Sequence, residues 1–433
     1  MYKRILGLAL PNIISNISVP LLSIADTAIA GRLAGATSLA SVAVAATLVS
    51  FTFWLWGFLR MATTGFTAQA YGRGDREAQR RQFAVGTGIA LLGGLLIIAL
   101  TPVLSLALGL LNDGSPSLLP EAERYLRVAY WGAPAALLLY VYNAWFIGMQ
   151  NTVVPMATTI ISNLLNIACS VALVYWADMG VEGIALGTVI AQYAAVLILL
   201  GTALWRHREL FEAWQWRDCL GASEVFSYIH IAKYLLLRTL MLGSINLFFI
   251  KAGSAYGPTT IAANTLLMQL FLTFSYFMDG FAYAGEALTG RYYGAKDKAS
   301  LRQMLRSLFT IGGLMAPLVA TVYFFGSDTL LGLLSDKVDI VAHAVDKSHW
   351  AVLIPLVSFM AFLWDGVFVG LTTSKPMMQA VCLAWLSFYI AYFSTRTLLG
   401  EDALWLAFVL YLAVRSLFSL YCGMRLLRAE VEA

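Results

Sequence analysis

Long apolar runs separated by short polar connections recur along the whole chain. Twelve of them lie near 8–30, 39–66, 83–110, 125–149, 155–176, 183–205, 226–252, 260–288, 305–333, 350–371, 377–396 and 403–424. A helix needs roughly 20 apolar residues to cross a bilayer core of about 30 Å. Strands of a membrane barrel would alternate in polarity over about ten residues, whereas these runs are longer and continuous. The pattern therefore predicts an all-α membrane protein with twelve transmembrane helices.

The runs also repeat. At a constant offset of 222 residues, Gly31, Gly35, Thr37 and Ala40 map onto Gly253, Gly257, Thr259 and Ala262. Tyr71, Gly72, Asp75 and Arg80 map onto Tyr293, Gly294, Asp297 and Arg302, and Asn143 and Gly148 onto Asp365 and Gly370. One offset serving three separate stretches predicts two pseudo-symmetric six-helix bundles. Six is even, so both halves enter the membrane the same way, as a parallel repeat. The expected division is an N-terminal lobe 1–205, a cytoplasmic linker 206–224 and a C-terminal lobe 225–433. Two such lobes around one axis imply a central cleft, the physical basis for a transporter.

Composition and charge fit that picture. Of 433 residues, 60% are hydrophobic and 12% charged, against about 25% charged in soluble domains. The net charge of +4 gives no reason to expect nucleic acid. Sixteen basic residues fall at one set of helix ends: Lys3, Arg4, Arg73, Arg76, Arg80, Arg81, Arg206, Arg208, Arg217, Arg291, Lys296, Lys298, Arg302, Lys375, Arg425 and Arg428. The opposite loops hold seven (Arg32, Arg124, Arg127, Lys251, Lys337, Lys347 and Arg396) together with acidic clusters such as Glu401/Asp402. The positive-inside rule then places both termini in the cytoplasm of a bacterial-type inner membrane, as an even number of spans also requires. Ala28-Ile29-Ala30 resembles a signal-peptidase site, but the run before it is long and contains Pro11, Pro20 and Asp26, so cleavage is not expected.

Several chemistries lack their signatures. The chain has no phosphate-binding loop, no G-x-S-x-G or H-E-x-x-H motif, and scattered histidines. Its four cysteines, Cys169, Cys219, Cys382 and Cys422, show no metal spacing and are expected to be free thiols. An enzyme is not expected, nor a metal, a cofactor or an obligatory protein partner. An ion gradient is the energy source that remains. One charge crossing 100 mV is worth about 2.3 kcal/mol.

The candidate chemistry is a set of polar groups inside apolar runs. A carboxylate at mid-membrane costs roughly 2.5–3.5 kcal/mol on insertion scales, so it marks function by default. Asp26, in PLLSIADTAIAG, follows Pro11 and Pro20, whose missing donors bend a helix and free carbonyls. Desolvation disfavours the charged form, so a proton could load and leave at Asp26. The bland alternative is a solvated Asp near the mouth of helix 1. On helix 5, Asn163 and Asn166 share a face and want a buried polar partner, for which Asp26 is the natural candidate. Ordinary interhelical hydrogen bonding explains them equally well. Thr188 on helix 6 is a weaker candidate. In the second half, Asp279 and Glu286 share a face of helix 8, Asp365 lies on helix 10 and Arg238 on helix 7. Arg238 with Asp279 or Asp365 forms either a structural ion pair or a second proton or substrate site. The role of Arg60 stays open. Phe53, Trp56, Tyr142 and Tyr276, with Met61 and Met268, could line an apolar cleft suited to flat cations.

DTAIAGRLAGATSLASVAV, FLRMATTGFTAQAYGRGD, GVEGIALGTVIAQ and FMDGFAYAGEALTGRYYGAKD together resemble the multidrug and toxic compound extrusion (MATE) family over essentially the whole chain. FLRMATTG, LRTL and LWDGVFVG resemble its DinF-like branch. The resemblance implies a V-shaped two-lobe antiporter that expels small organic, often cationic, compounds using protons or sodium. It places the branch's coupling aspartate on Asp26, its polar partners on Asn166 and Thr188 with Asn163 nearby, and the helix-1 bend on Pro11. Two departures stand out. Where the family pattern often has Asp on helix 5, this chain has Ser170, and where a sodium-coupled branch uses Glu on helix 7, it has Arg238. Both favour protons over sodium. The competing readings are a sodium-coupled exporter, a flippase for a lipid-linked sugar, and a membrane-embedded enzyme or scaffold. A flippase cleft would need more intramembrane Arg and Lys than this chain holds.

Overall fold

The computed structural model describes residues 1–31, 36–111, 119–212 and 221–432. Arg32, Gly35, Arg217, Cys219 and the middle of the 206–224 linker lie outside the described residues. All regular elements among those described are helical. The first half holds α1 (Tyr2–Gly31), α2 (Ala36–Leu55), α3 (Phe58–Arg73), α4 (Arg76–Leu111), α5 (Leu119–Ala129), α6 (Ala133–Gly148), α7 (Val153–Tyr175), α8 (Gly180–Arg206) and the short α9 (Arg208–Phe211). The second holds α10 (Ala222–Ser254), α11 (Pro258–Gly294), α12 (Lys298–Leu334), α13 (Val338–Asp346), α14 (Ser348–Gly370), α15 (Ser374–Leu399) and α16 (Asp402–Glu432).

Ten helical stretches among the described residues are long and apolar enough to cross a membrane. The first predicted span is α1, which runs unbroken through Pro11 and Pro20. The second is interrupted at Trp56-Gly57, between α2 and α3. The fourth starts earlier than hydropathy predicts and is divided by a 3-10 turn at Tyr130–Gly132. Pro134 causes that break: it has no N–H to donate and settles in the first turn of α6. Polar residues of α5 such as Glu123, Arg124 and Arg127 hid the early start from a hydropathy reading.

The chain divides into two compact units, Ile14–Ala232 and Met1–Ile13 with Lys233–Ala433. These boundaries fall inside α1 and α10, not in the 206–224 linker. The start of α1 is tied down within the second unit. Ile5 and Ala9 are buried, Arg4 donates to the Tyr292 hydroxyl at 3.0 Å, and the absent side chain of Gly280 makes room for Ile13. The start of α10 is tied down within the first unit. Tyr228 is buried, shares a hydrogen bond with Thr63 at 3.0 Å and packs its ring on Phe66. Glu224 pairs with Arg81 at 2.9 Å.

The repeat extends to individual hydrogen bonds. Asp75 caps α4 by accepting from the Ala78 amide at 2.9 Å, and Asp297 caps α12 by accepting from the Ser300 amide at 2.9 Å. Each follows a left-handed residue, Gly74 in one copy and Lys296 in the other. Gly148 and Gly370 each press against a threonine, Thr67 and Thr289, at equivalent places. Exposed apolar positions repeat as well. Leu92, Leu96 and Leu100 on α4 match the exposed Leu314, Leu318 and Val322 on α12, spaced by four to form one stripe of each helix.

Candidate functional site

Asp26 sits late in α1, half-buried. Its Oδ1 is sealed from solvent and has no hydrogen-bond partner among the described residues. Tyr125 of α5 lies near it. A buried carboxyl oxygen without a donor is expensive unless a proton or cation is shared with it.

The amides of α7 are engaged elsewhere, and no hydrogen bond joins either of them to Asp26 among the described residues. Asn163 donates to the Ser18 hydroxyl at 2.9 Å and the Ser18 carbonyl at 3.3 Å. Asn166 donates to Thr188 of α8 at 2.9 Å, and Ser170 donates to Asn166 Oδ1 at 3.2 Å. Thr188 also donates to the Ile184 carbonyl at 3.1 Å. The expected direct Asn–Asp26 contact is therefore replaced by two links, one from α7 to α1 and one from α7 to α8. Helical rise gives the physical reason. Asp26 stands about 12 Å along α1 from Ser18, beyond the reach of an amide fixed at Ser18. Ser170 stands about 10 Å along α7 from Asn163, so at the depth of Asp26 this helix offers a hydroxyl and no second carboxylate. Gly187 lets α8 close onto Ser170. Tyr125 and Ser18 were not singled out from the sequence, since both residue types are common near helix ends and on helix faces.

In the second unit, Arg238 of α10 pairs with Asp365 of α14 at 2.6 Å. Arg415 of α16 bonds to the same oxygen, Oδ2, at 2.5 Å. Arg415 also donates to the Tyr411 hydroxyl at 3.5 Å and lies over the Phe362 ring. Both guanidiniums are buried, and their Nε groups have no hydrogen-bond partner among the described residues. One carboxylate thus ties three helices together between two permanent cations. Of the two carboxylates expected for Arg238, Asp365 is the partner. Glu286 is buried and Asp279 half-buried on α11. Arg415 was missed in the sequence although it lies in the middle of the last apolar run; a lone Arg at mid-span was the available signal.

Of the six residues expected to line a cleft, Phe53, Trp56, Met61 and Tyr142 lie in the first unit and Met268 and Tyr276 in the second. Tyr142 is a core residue instead: it is 3% exposed and its ring stacks on Phe83 at 4.6 Å. The Trp56 ring lies over Gly93 of α4, and Phe53 packs edge-on against Tyr130. Met61 and Tyr276 are half-buried on α3 and α11. Met268 lines a cavity between α10 and α11.

Residues 11–172 and 235–393 match the MatE family profile. The chain is 37% identical to DNA damage-inducible protein F of Escherichia coli, over 96% of this chain and 90% of that protein. It is 27% identical to a probable multidrug resistance protein NorM of Rhizobium meliloti, over 99% and 94% respectively. In fold it is similar to a crystallised MATE protein in the bent conformation, with a TM-score of 0.91, 18% identity, and coverage of 99% and 96%. The Vibrio cholerae MATE transporter VcmN in its bent form gives a TM-score of 0.89 at 19% identity, covering 99% and 97%.

Proposed function

The chain belongs to the MatE family of multidrug and toxic-compound transporters, and from that premise we propose that it exports small amphipathic organic compounds in exchange for protons bound at Asp26. The observation that carries this reading is the sealed, unpartnered Oδ1 of Asp26. A proton needs one acceptor, whereas a bare metal cation needs several oxygens, and the amides of Asn163 and Asn166 are held by Ser18, Thr188 and Ser170 with no hydrogen bond to Asp26 among the described residues. The second unit supports placing the coupling site in the first. Asp365 is neutralised by two arginines that do not titrate, so a mobile cation meets net positive charge there. Coupling therefore belongs to the first unit, and the triad is structural. Orientation follows from loop charge: both termini face the cytoplasm of a bacterial-type inner membrane.

The test is ethidium transport in inverted vesicles, with a proton gradient and a sodium gradient imposed separately. Transport driven by protons alone is expected. Transport that requires sodium, with no response to protons, contradicts the coupling ion.

A further inference from the structure

A cavity of about 290 Å³ opens between α10 and α11, wholly within the second unit. Its wall carries three carboxamides, from Asn246, Asn264 and Gln269, and no charged side chain. Asn264 is buried and its orientation is fixed. The indole N–H of Trp405 can only donate, and it donates to Asn264 Oδ1 at 2.8 Å. That bond turns Asn264 Nδ2 toward the cavity, 3.1 Å from where a side chain on Gly253 would begin. The side chains of Asn246 and Gln269 make no hydrogen bond among the described residues and line the same cavity. Behind them the shell is rigid. Phe249 packs edge-on against both Trp405 and Phe408, at 5.0 and 5.5 Å. Met268 supplies an adaptable apolar surface.

We propose that this cavity is a binding subsite for uncharged aromatic compounds that carry both hydrogen-bond donors and acceptors. Three convergent carboxamides match amide, amine and lactone groups, and an apolar wall accepts one flat ring. A lipid chain is a poor occupant, because it would leave the amides unpaired in an apolar setting. A permanent cation finds no carboxylate in this wall to balance its charge. The proposal rests on the export reading for its biological meaning, but binding itself needs no gradient, so the two fail separately.

The full chain in lipid nanodiscs is titrated with 7-amino-4-methylcoumarin, an uncharged fluorophore, and in parallel with ethidium. Saturable coumarin binding is expected. In the double variant Asn246→Leu/Gln269→Leu its Kd should rise about tenfold, the loss expected from two hydrogen bonds, with ethidium unchanged. Asn246 is exposed, so if the double variant does not fold, Asn246→Leu alone is read, with an expected rise of about threefold. Absent coumarin binding, a Kd that does not change, or equal weakening of ethidium overturns the assignment.

Discussion

Asp365→Asn separates a structural tie from a coupling group. The substitution keeps the side chain's shape and removes the charge that holds Arg238 and Arg415 at 2.6 and 2.5 Å. The three side chains are 10%, 7% and 13% exposed for Arg238, Arg415 and Asp365, so solvent does little to relieve the loss. Removing one partner of a buried ion pair costs about 3–5 kcal/mol. In a domain of about 150–250 residues, each kcal/mol lowers Tm by about 2–4 °C, so a fall of roughly 6–20 °C is expected. The assay is intrinsic-tryptophan thermal unfolding of the purified protein in detergent. Adding Arg415→Met to Asp365→Asn removes one stranded cation and should recover part of the loss, through a coupling of about 0.5–3 kcal/mol. A variant that melts within about 2 °C of wild type, yet loses proton-linked transport, would refute the structural reading and make Asp365 a coupling group.

Two further outcomes follow from the packing and the caps. Gly370→Ala places a methyl group 2.7 Å from the Glu286 carbonyl oxygen and 2.9 Å from the Gly290 amide; backbone cannot swing aside, so about 1–3 kcal/mol of stability is lost, read as a lower Tm. Asp297 caps α12, and its hydrogen bonds to Ser300 hold its carboxyl below the ordinary range. The cap's contribution is therefore full above the unfolded value of about 3.9 and is lost as pH falls through the folded value. Asp297→Ala should melt below wild type at neutral pH, and the two curves should converge in acid.

The helices were legible because lipid demands long uninterrupted apolar runs, and the repeat was legible because Asp75/Asp297 and Gly148/Gly370 do the same backbone work twice. The breaks at Trp56-Gly57 and Tyr130–Gly132 were not, since a run of apolar residues looks the same whether or not its helix is interrupted. At the site, residue types announced Asp26, Asp365 and Arg238, but partners depend on depth and azimuth. Asn163 was placed beside Asp26 on helical phase alone, and the rise along α1 sets it at Ser18. Arg415 stood out as a lone arginine in the last apolar run but its partner did not, and Tyr142 looked available for ligand because stacking on Phe83 joins residues far apart in sequence.

Reconstituted vesicles carrying a trapped pH dye report most directly whether the carboxyl on α1 carries the proton. Ethidium added to wild type should trigger an opposing proton flux, and Asp26→Asn, which removes no hydrogen bond among the described residues, should keep its Tm and give no flux. Undiminished proton flux from a correctly folded Asp26→Asn would contradict the account.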